Sequence, residues 1–210
     1  MAITGFINTV YYAMLTPKHM TESATNTFVY FAYGSNMLSH RLKERAPSAV
    51  AIGIGFVQGR RLAFDKVSSD GSGKCDIEVT INPKDRAYGV LFNIASTEKS
   101  ILDKVEGLGK GYDKQDIQVV TTNGACTAVT YVATTKEPAL RPYHWYKALV
   151  VAGAVQHGLP NVYIEWLRTF KSQADPHTKR RAENEALLLA ANTSLNTCFR
   201  LSPVLHDKDA

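Results

Sequence analysis

The sequence predicts an α+β fold built on a small, barrel-like, strongly curved sheet. Three observations predict it: strand patterns that follow one another directly, an Asn-Gly hairpin signal among them, and helical periodicity concentrated after Pro142. A doubly wound parallel fold would instead alternate strand and helix throughout. Residues 1–26 end in the polar run Thr21-Glu-Ser-Ala-Thr-Asn-Thr27, which has no period, and read as a mobile N-terminal extension. Residues 28–32, Phe-Val-Tyr-Phe-Ala, are an uninterrupted run of β-formers, predicting a short strand buried on both faces and central in its sheet. After Tyr33-Gly34-Ser35-Asn36, residues 37–45 show helical spacing, with Met37, Leu38 and Leu42 on one side, and Pro47 stops that helix.

Residues 49–67 read as extended segments, followed by the loop 68–74 and by strands over 77–81 and 87–94, which the turn Asn82-Pro-Lys-Asp85 joins. Ser96 is placed to cap a helix over 97–105 whose apolar face carries Ile101, Leu102 and Val105. The glycine loop 107–111 leads to alternating segments at 116–121 and 125–133, with Asn123-Gly124 between them as a hairpin turn. Helical periodicity then occupies 143–156, closed by Gly158, and a second helix runs from Pro160 to about residue 170. A third covers 179–191. The chain therefore divides into an extension at 1–26, a catalytic domain at 27–174, and a C-terminal helical extension and tail at 175–210.

Composition narrows the function classes. Of 210 residues, 45% are hydrophobic and 20% charged, which is ordinary globular usage and argues against a disordered or fibrous chain. Lys and Arg exceed Asp and Glu by 24 to 19, a net charge of +5 that is too mild to signal a nucleic-acid partner. Lys179-Arg-Arg181 is followed by Glu183 and Glu185, so it reads as a solvated helix face. No apolar run reaches the roughly 20 residues of a membrane span, and no basic segment precedes the apolar stretch near the start, so neither a membrane anchor nor a secretory signal is expected. Cys75, Cys126 and Cys198 are widely spaced and odd in number, which fits a reducing, cytoplasmic compartment. The histidines lack paired ligand spacing, so no metal site is expected, and Gly53-Ile-Gly55-Phe-Val-Gln-Gly59 has one residue too many for a dinucleotide fingerprint.

Three constellations can carry chemistry. Tyr33-Gly34-Ser35-Asn36, between a strand and a helix, is either a plain turn capped by Ser35 or Asn36, or a nest of free N–H groups for a carboxylate or oxyanion. Glu106 stands at the end of its helix beside Gly107, where the helix dipole opposes a negative charge. A carboxylate placed there is either a solvated residue next to a loop or an acid/base group. Tyr143, Trp145 and Tyr146 open the first C-terminal helix, as core aromatics or with a hydroxyl in a pocket.

The run Phe28-Val-Tyr-Phe-Ala-Tyr-Gly-Ser-Asn36 resembles the opening strand and loop of the γ-glutamylcyclotransferases. The resemblance continues in order through Arg45-Ala-Pro-Ser48, Leu102-Asp-Lys-Val-Glu-Gly107, Tyr146-Lys-Ala-Leu and Gly158-Leu-Pro160, covering about residues 28–171. It implies a small curved β-barrel surrounded by helices, usually homodimeric, and conversion of γ-glutamyl amino acids to 5-oxoproline and a free amino acid without a cofactor. It also implies that Glu106 is the catalytic acid/base, that Tyr30, Phe31, Ala32, Tyr33, Gly34 and Ser35 line the substrate site, and that Tyr146 contacts the substrate. Glutathione-degrading relatives tend to carry Leu where Asn36 stands, which argues against glutathione itself. In some relatives an extra residue separates the glycine and tyrosine adjacent here as Gly111-Tyr112, so the lip of the site has its own shape. Two alternatives stand beside this reading: a cyclase of the same fold acting on γ-glutamylamines, and a non-catalytic module that binds carboxylates.

Overall fold

A computed structural model describes residues 26–200, with side chains through residue 191. Seven strands and five α-helices follow the expected mixed order. Strand β1 (Thr27–Ala32) pairs antiparallel with β5 (Arg86–Ala95), which pairs antiparallel with β2 (Val50–Gln58). Strand β2 meets β6 (Tyr112–Thr121) at Phe56 and Val120, β6 forms a hairpin with β7 (Gly124–Ala133), and β7 runs parallel to β1 at Tyr30 and Val129. That last pairing closes a five-stranded barrel. Strand β1 therefore has a neighbour on each side, as its unbroken apolar run predicts. Strands β3 (Arg60–Val67) and β4 (Gly73–Val79) form a separate antiparallel ribbon.

Several expected elements differ in detail. The helix expected over 37–45 is a 3-10 turn, Ser35–Met37, and a short α1 (Ser39–Lys43), with Leu38 extended between them. Met37, Leu38 and Leu42 are all fully buried, and the break lets the first two lie under helix α3 (His144–Gln156). The close approach requires Gly153, where a Cβ would stand 2.5 Å from the Leu38 nitrogen. Helix α2 (Lys99–Glu106) starts after a 3-10 turn that includes Ser96, and the Ser96 side chain makes no cap; its N–H donates to Asn26 instead. Of the three residues expected on its apolar face, only Leu102 is buried, while Ile101 and Val105 are 51% and 46% exposed. The apolar contact of this helix with the core is a single side chain, Leu102.

The hairpin loop is Thr122-Asn123, with Gly124 already paired to Thr121. Asn123 keeps a negative φ and the glycine takes the positive one, at 113°, so the turn signal lies one residue late. Strand β4 runs from residue 73 to 79 rather than from 77 to 81, leaving Ile81 fully exposed. Helix α4 (Asn161–Thr169) ends before Phe170, and α5 (Thr178–Arg200) begins where the basic run predicts. Helix α5 packs on α3 and buries Ala191. Trp145 Nε1 donates to Asp175 at 2.8 Å, and Arg180 grips the same carboxylate. The expectation for residues 1–25 lies outside the described residues.

Candidate active site

The C-terminal end of β1 carries Tyr30 to a cavity mouth and passes into the loop 33–36, which the ribbon's β4 and helix α3 cover from the other side. The cavity is lined by Tyr30, Tyr33, Gly34, Ser35, Asn36, Cys75, Glu106, Tyr112, Tyr131 and Tyr146. Five of those ten side chains are phenols. Helix α2 delivers Glu106 in its final turn because Gly107, at φ 72°, adopts the left-handed conformation that ends a helix without a Cβ penalty.

Glu106 is 14% exposed, and its Oε1 accepts from two side chains at the barrel's edge. Arg45 Nη1 donates to it at 2.9 Å and Asn36 Nδ2 donates at 2.7 Å. The same Arg45 nitrogen donates to Asn36 Oδ1 at 2.7 Å, and Asn36 Nδ2 also donates to the Tyr30 hydroxyl at 3.0 Å. One oxygen of the carboxylate is thus fixed by two donors that are fixed to each other. The sequence suggests a carboxylate opposed by a helix dipole; the structure adds an adjacent guanidinium that binds it.

Gly34 has a negative φ, so its role is close approach rather than an unusual turn. A Cβ there would meet Cys75 Cβ at 3.1 Å and the Tyr146 hydroxyl at 3.4 Å. Ser35 Oγ accepts from Arg41 Nε at 3.1 Å, and Arg41 Nη1 reaches Asn184 of α5 at 3.1 Å. Burial lowers the Arg41 guanidinium to about 10, with Arg45 adding repulsion. The Ser35 and Asn36 side chains accordingly do not cap the turn. The N–H groups of Gly34 and Ser35 have no hydrogen-bond acceptor among the described residues, which leaves them available to an anion.

The backbone of Cys75 is clamped between two phenols: its N–H donates to the Tyr146 hydroxyl at 3.2 Å, and its carbonyl accepts from Tyr112 at 2.8 Å. Tyr33 donates to the Tyr131 carbonyl, and Tyr131 donates to Asp103 Oδ1 at 2.6 Å. Burial pushes all five phenols above their ordinary range, and the Glu106 charge adds to the effect at Tyr30. Burial likewise pushes the Cys75 thiol up. At neutral pH these groups are hydrogen-bond partners, and Glu106 is the acidic group among the lining residues.

A mouse γ-glutamylcyclotransferase is 34% identical over 150 residues, 69% of this chain and 79% of that protein. The human γ-glutamylcyclotransferase is 32% identical over 160 residues, 73% of this chain and 84% of its own. The chain belongs to the γ-glutamylcyclotransferase family. It is an enzyme of that type, with the family's closed barrel and surrounding helices. A solved γ-glutamyl cyclotransferase superposes with a TM-score of 0.69 at 28% identity, covering 79% of this chain and 99% of the other. The AIG2-like family matches residues 86–167.

Of the residues the sequence singles out, Tyr30, Tyr33, Gly34, Ser35, Glu106 and Tyr146 meet at this one cavity. Phe31 and Ala32 do not line it. Phe31 is fully buried, as strand alternation turns its ring away toward Gly89, and Ala32 is buried in the core at 1% exposure. Asn36, Arg45, Cys75, Tyr112 and Tyr131 complete the site. The motif Arg45-Ala-Pro-Ser48 contains one of them without showing which way it points. No group of three or more His, Cys, Asp or Glu side chains among the described residues is arranged to hold a metal ion. No described helix is long and apolar enough to cross a membrane.

Proposed function

We propose that this enzyme converts γ-glutamyl amino acids to 5-oxoproline and the free amino acid, with Glu106 as its acid/base. The observation that carries the proposal is the Glu106 carboxylate, held by Arg45 and Asn36 at the end of a cavity that otherwise offers phenols and free amides. The γ-glutamyl α-ammonium gives a proton to Glu106, and the resulting amine attacks the γ-carbonyl carbon. A five-membered ring closes, and the amide C–N bond breaks as Glu106 returns the proton to the departing nitrogen. In all, two protons pass from the α-nitrogen to the leaving nitrogen, so the amino acid departs as its ammonium form and Glu106 is unchanged. The Gly34 and Ser35 N–H groups are placed to receive the α-carboxylate or the developing oxyanion. Folding the substrate so that its amine faces its own carbonyl supplies most of the rate, since such intramolecular closures reach effective molarities of about 10⁵ M or more.

The catalytic domain of this reading is residues 27–174, and the enzyme works as a cytoplasmic homodimer. The free thiols of Cys75 and Cys126 and the exposed Val50 and Ile52 of β2 support that part, which equilibrium sedimentation and cell fractionation test. For the chemistry, purified enzyme is incubated with γ-glutamyl-alanine and 5-oxoproline is quantified. Replacing Glu106 by Gln keeps the side chain's shape and should lower the rate by about 10² to 10⁴. Undiminished product from that variant, or none from the wild type, refutes the proposal.

A further inference from the structure

Four cationic side chains contact residues that line the cavity, and three are already engaged. Arg45 holds Glu106 and Asn36, Arg41 holds Ser35 and Asn184, and Lys74 holds Asp70 at 2.7 Å and Ser72 at 2.6 Å. The fourth is Lys66, near the end of β3. It is half-buried, and its ammonium has no hydrogen-bond or ion-pair partner among the described residues. The ammonium lies 4.8 Å from the ring centroid of Tyr112, a cavity-lining residue, and packs against Gly111. It therefore stands at the Gly111-Tyr112 lip. Burial pulls it below the ordinary lysine range, while the carboxylates of Glu106 and Asp70 push the other way. A half-dried cation without a counter-ion is a costly arrangement unless an anion visits it.

We propose that Lys66 binds the carboxylate of the amino acid that the reaction releases, and so makes the enzyme select γ-glutamyl α-amino acids over γ-glutamylamines. This rests on the cyclotransferase reading above. The acid that protonates the departing nitrogen must lie within about 3 Å of it. In an α-amino acid the carboxyl carbon is only two bonds, about 2.5 Å, beyond that nitrogen. The leaving carboxylate thus falls within a short reach of Glu106, whose cavity is walled by the same Tyr112 ring that the Lys66 ammonium covers. In the reading above the Gly34 and Ser35 amides take the γ-glutamyl half, so the second carboxylate points to the lip. A γ-glutamylamine has the same scissile bond and nothing for Lys66 to hold.

The test compares γ-glutamyl-alanine with γ-glutamyl-ethylamine, which differs only in lacking the carboxylate, by steady-state 5-oxoproline formation. The wild type should favour the alanine substrate, and Lys66→Met should lower kcat/KM for it about tenfold, through KM with kcat held, as expected for lost uniform binding. The ethylamine substrate should stay within about twofold, and Lys66→Arg should keep most of the preference. Because the two substrates are compared in one preparation, a poorly folded fraction cancels from the ratio. Equal losses on both substrates would assign Lys66 a structural role, and no loss on either would deny it contact; each result overturns the inference while leaving an active cyclotransferase. No 5-oxoproline from either substrate with the wild type would instead overturn the cyclotransferase reading, and the Lys66 assignment with it.

Discussion

Arg45 offers the sharpest perturbation of the site, because one of its nitrogens serves both Glu106, at 2.9 Å, and Asn36, at 2.7 Å. Replacing it with Met keeps the aliphatic stem and removes the charge. Two unit charges at 2.9 Å attract by about 6 kcal/mol at an effective dielectric near 20, before the cost of drying both groups. The side chains are 22% and 14% exposed, so screening and desolvation return much of that. What remains, together with the unpaired Asn36 Oδ1 of a buried residue, comes to about 2–3 kcal/mol. For a chain of this size that is a fall of about 4–12 °C in Tm. The carboxylate then keeps Asn36 as its one remaining hydrogen-bond donor among the described residues and rotates more freely, so kcat/KM should drop at least about tenfold. Calorimetry and the 5-oxoproline assay on the same preparation measure both. A Tm within about 1 °C of wild type together with full activity would refute the view that Arg45 holds the site together.

Other outcomes follow from the same geometry. Gly34→Ala places a methyl 3.1 Å from Cys75 and 3.4 Å from the Tyr146 hydroxyl, so it should cut kcat/KM severalfold while leaving the circular dichroism spectrum unchanged. A fully active variant would show that the loop can retreat from the ribbon. Arg180, and after it the His177 and Trp145 N–H groups, hold the Asp175 carboxyl well below its ordinary value of 3.8. The unfolded chain therefore binds the proton first, and the contribution of Asp175 is complete above about pH 5 and fades as the pH falls through 4 and below. Asp175→Asn should lower Tm at pH 7 and flatten the acid limb of the Tm–pH curve; an acid limb as steep as wild type would count against the pairing.

The legible parts of the fold are those decided locally. The apolar run of β1, the strand now numbered β5 and the three C-terminal helices each show their own period. The helix ending at Glu106 announces its stop through Gly107. Barrel closure by β7 alongside β1 is different, because it joins Tyr30 to Val129 and no local pattern encodes a partner so far away. The same distance hides the support of Glu106. Asn36 and Arg45 are 70 and 61 residues from it in sequence and meet it only because the loop after β1 and helix α2 arrive at the same end of the barrel. Tyr131 sits in a segment that reads as ordinarily alternating, and Tyr112 opens β6 four residues before the segment expected at 116–121; only the barrel's curvature decides that their rings turn toward the cavity. Conversely, Ile101 and Val105 look like a core face by spacing, yet they are exposed because no described residue forms a second layer over α2.

The bond from Asn184 to Arg41, and from Arg41 to Ser35, bears on where the chain can be shortened. A version ending at residue 174 would keep every cavity-lining residue and the whole AIG2-like match at 86–167, yet it would leave one end of the Arg41 guanidinium without its acceptor behind the loop that carries Ser35. It would also strip Trp145 of Asp175, one residue before Tyr146. The tail and the pocket are therefore a single mechanical unit, and any minimal or fused form of the enzyme has to carry α5 at least as far as Ala191.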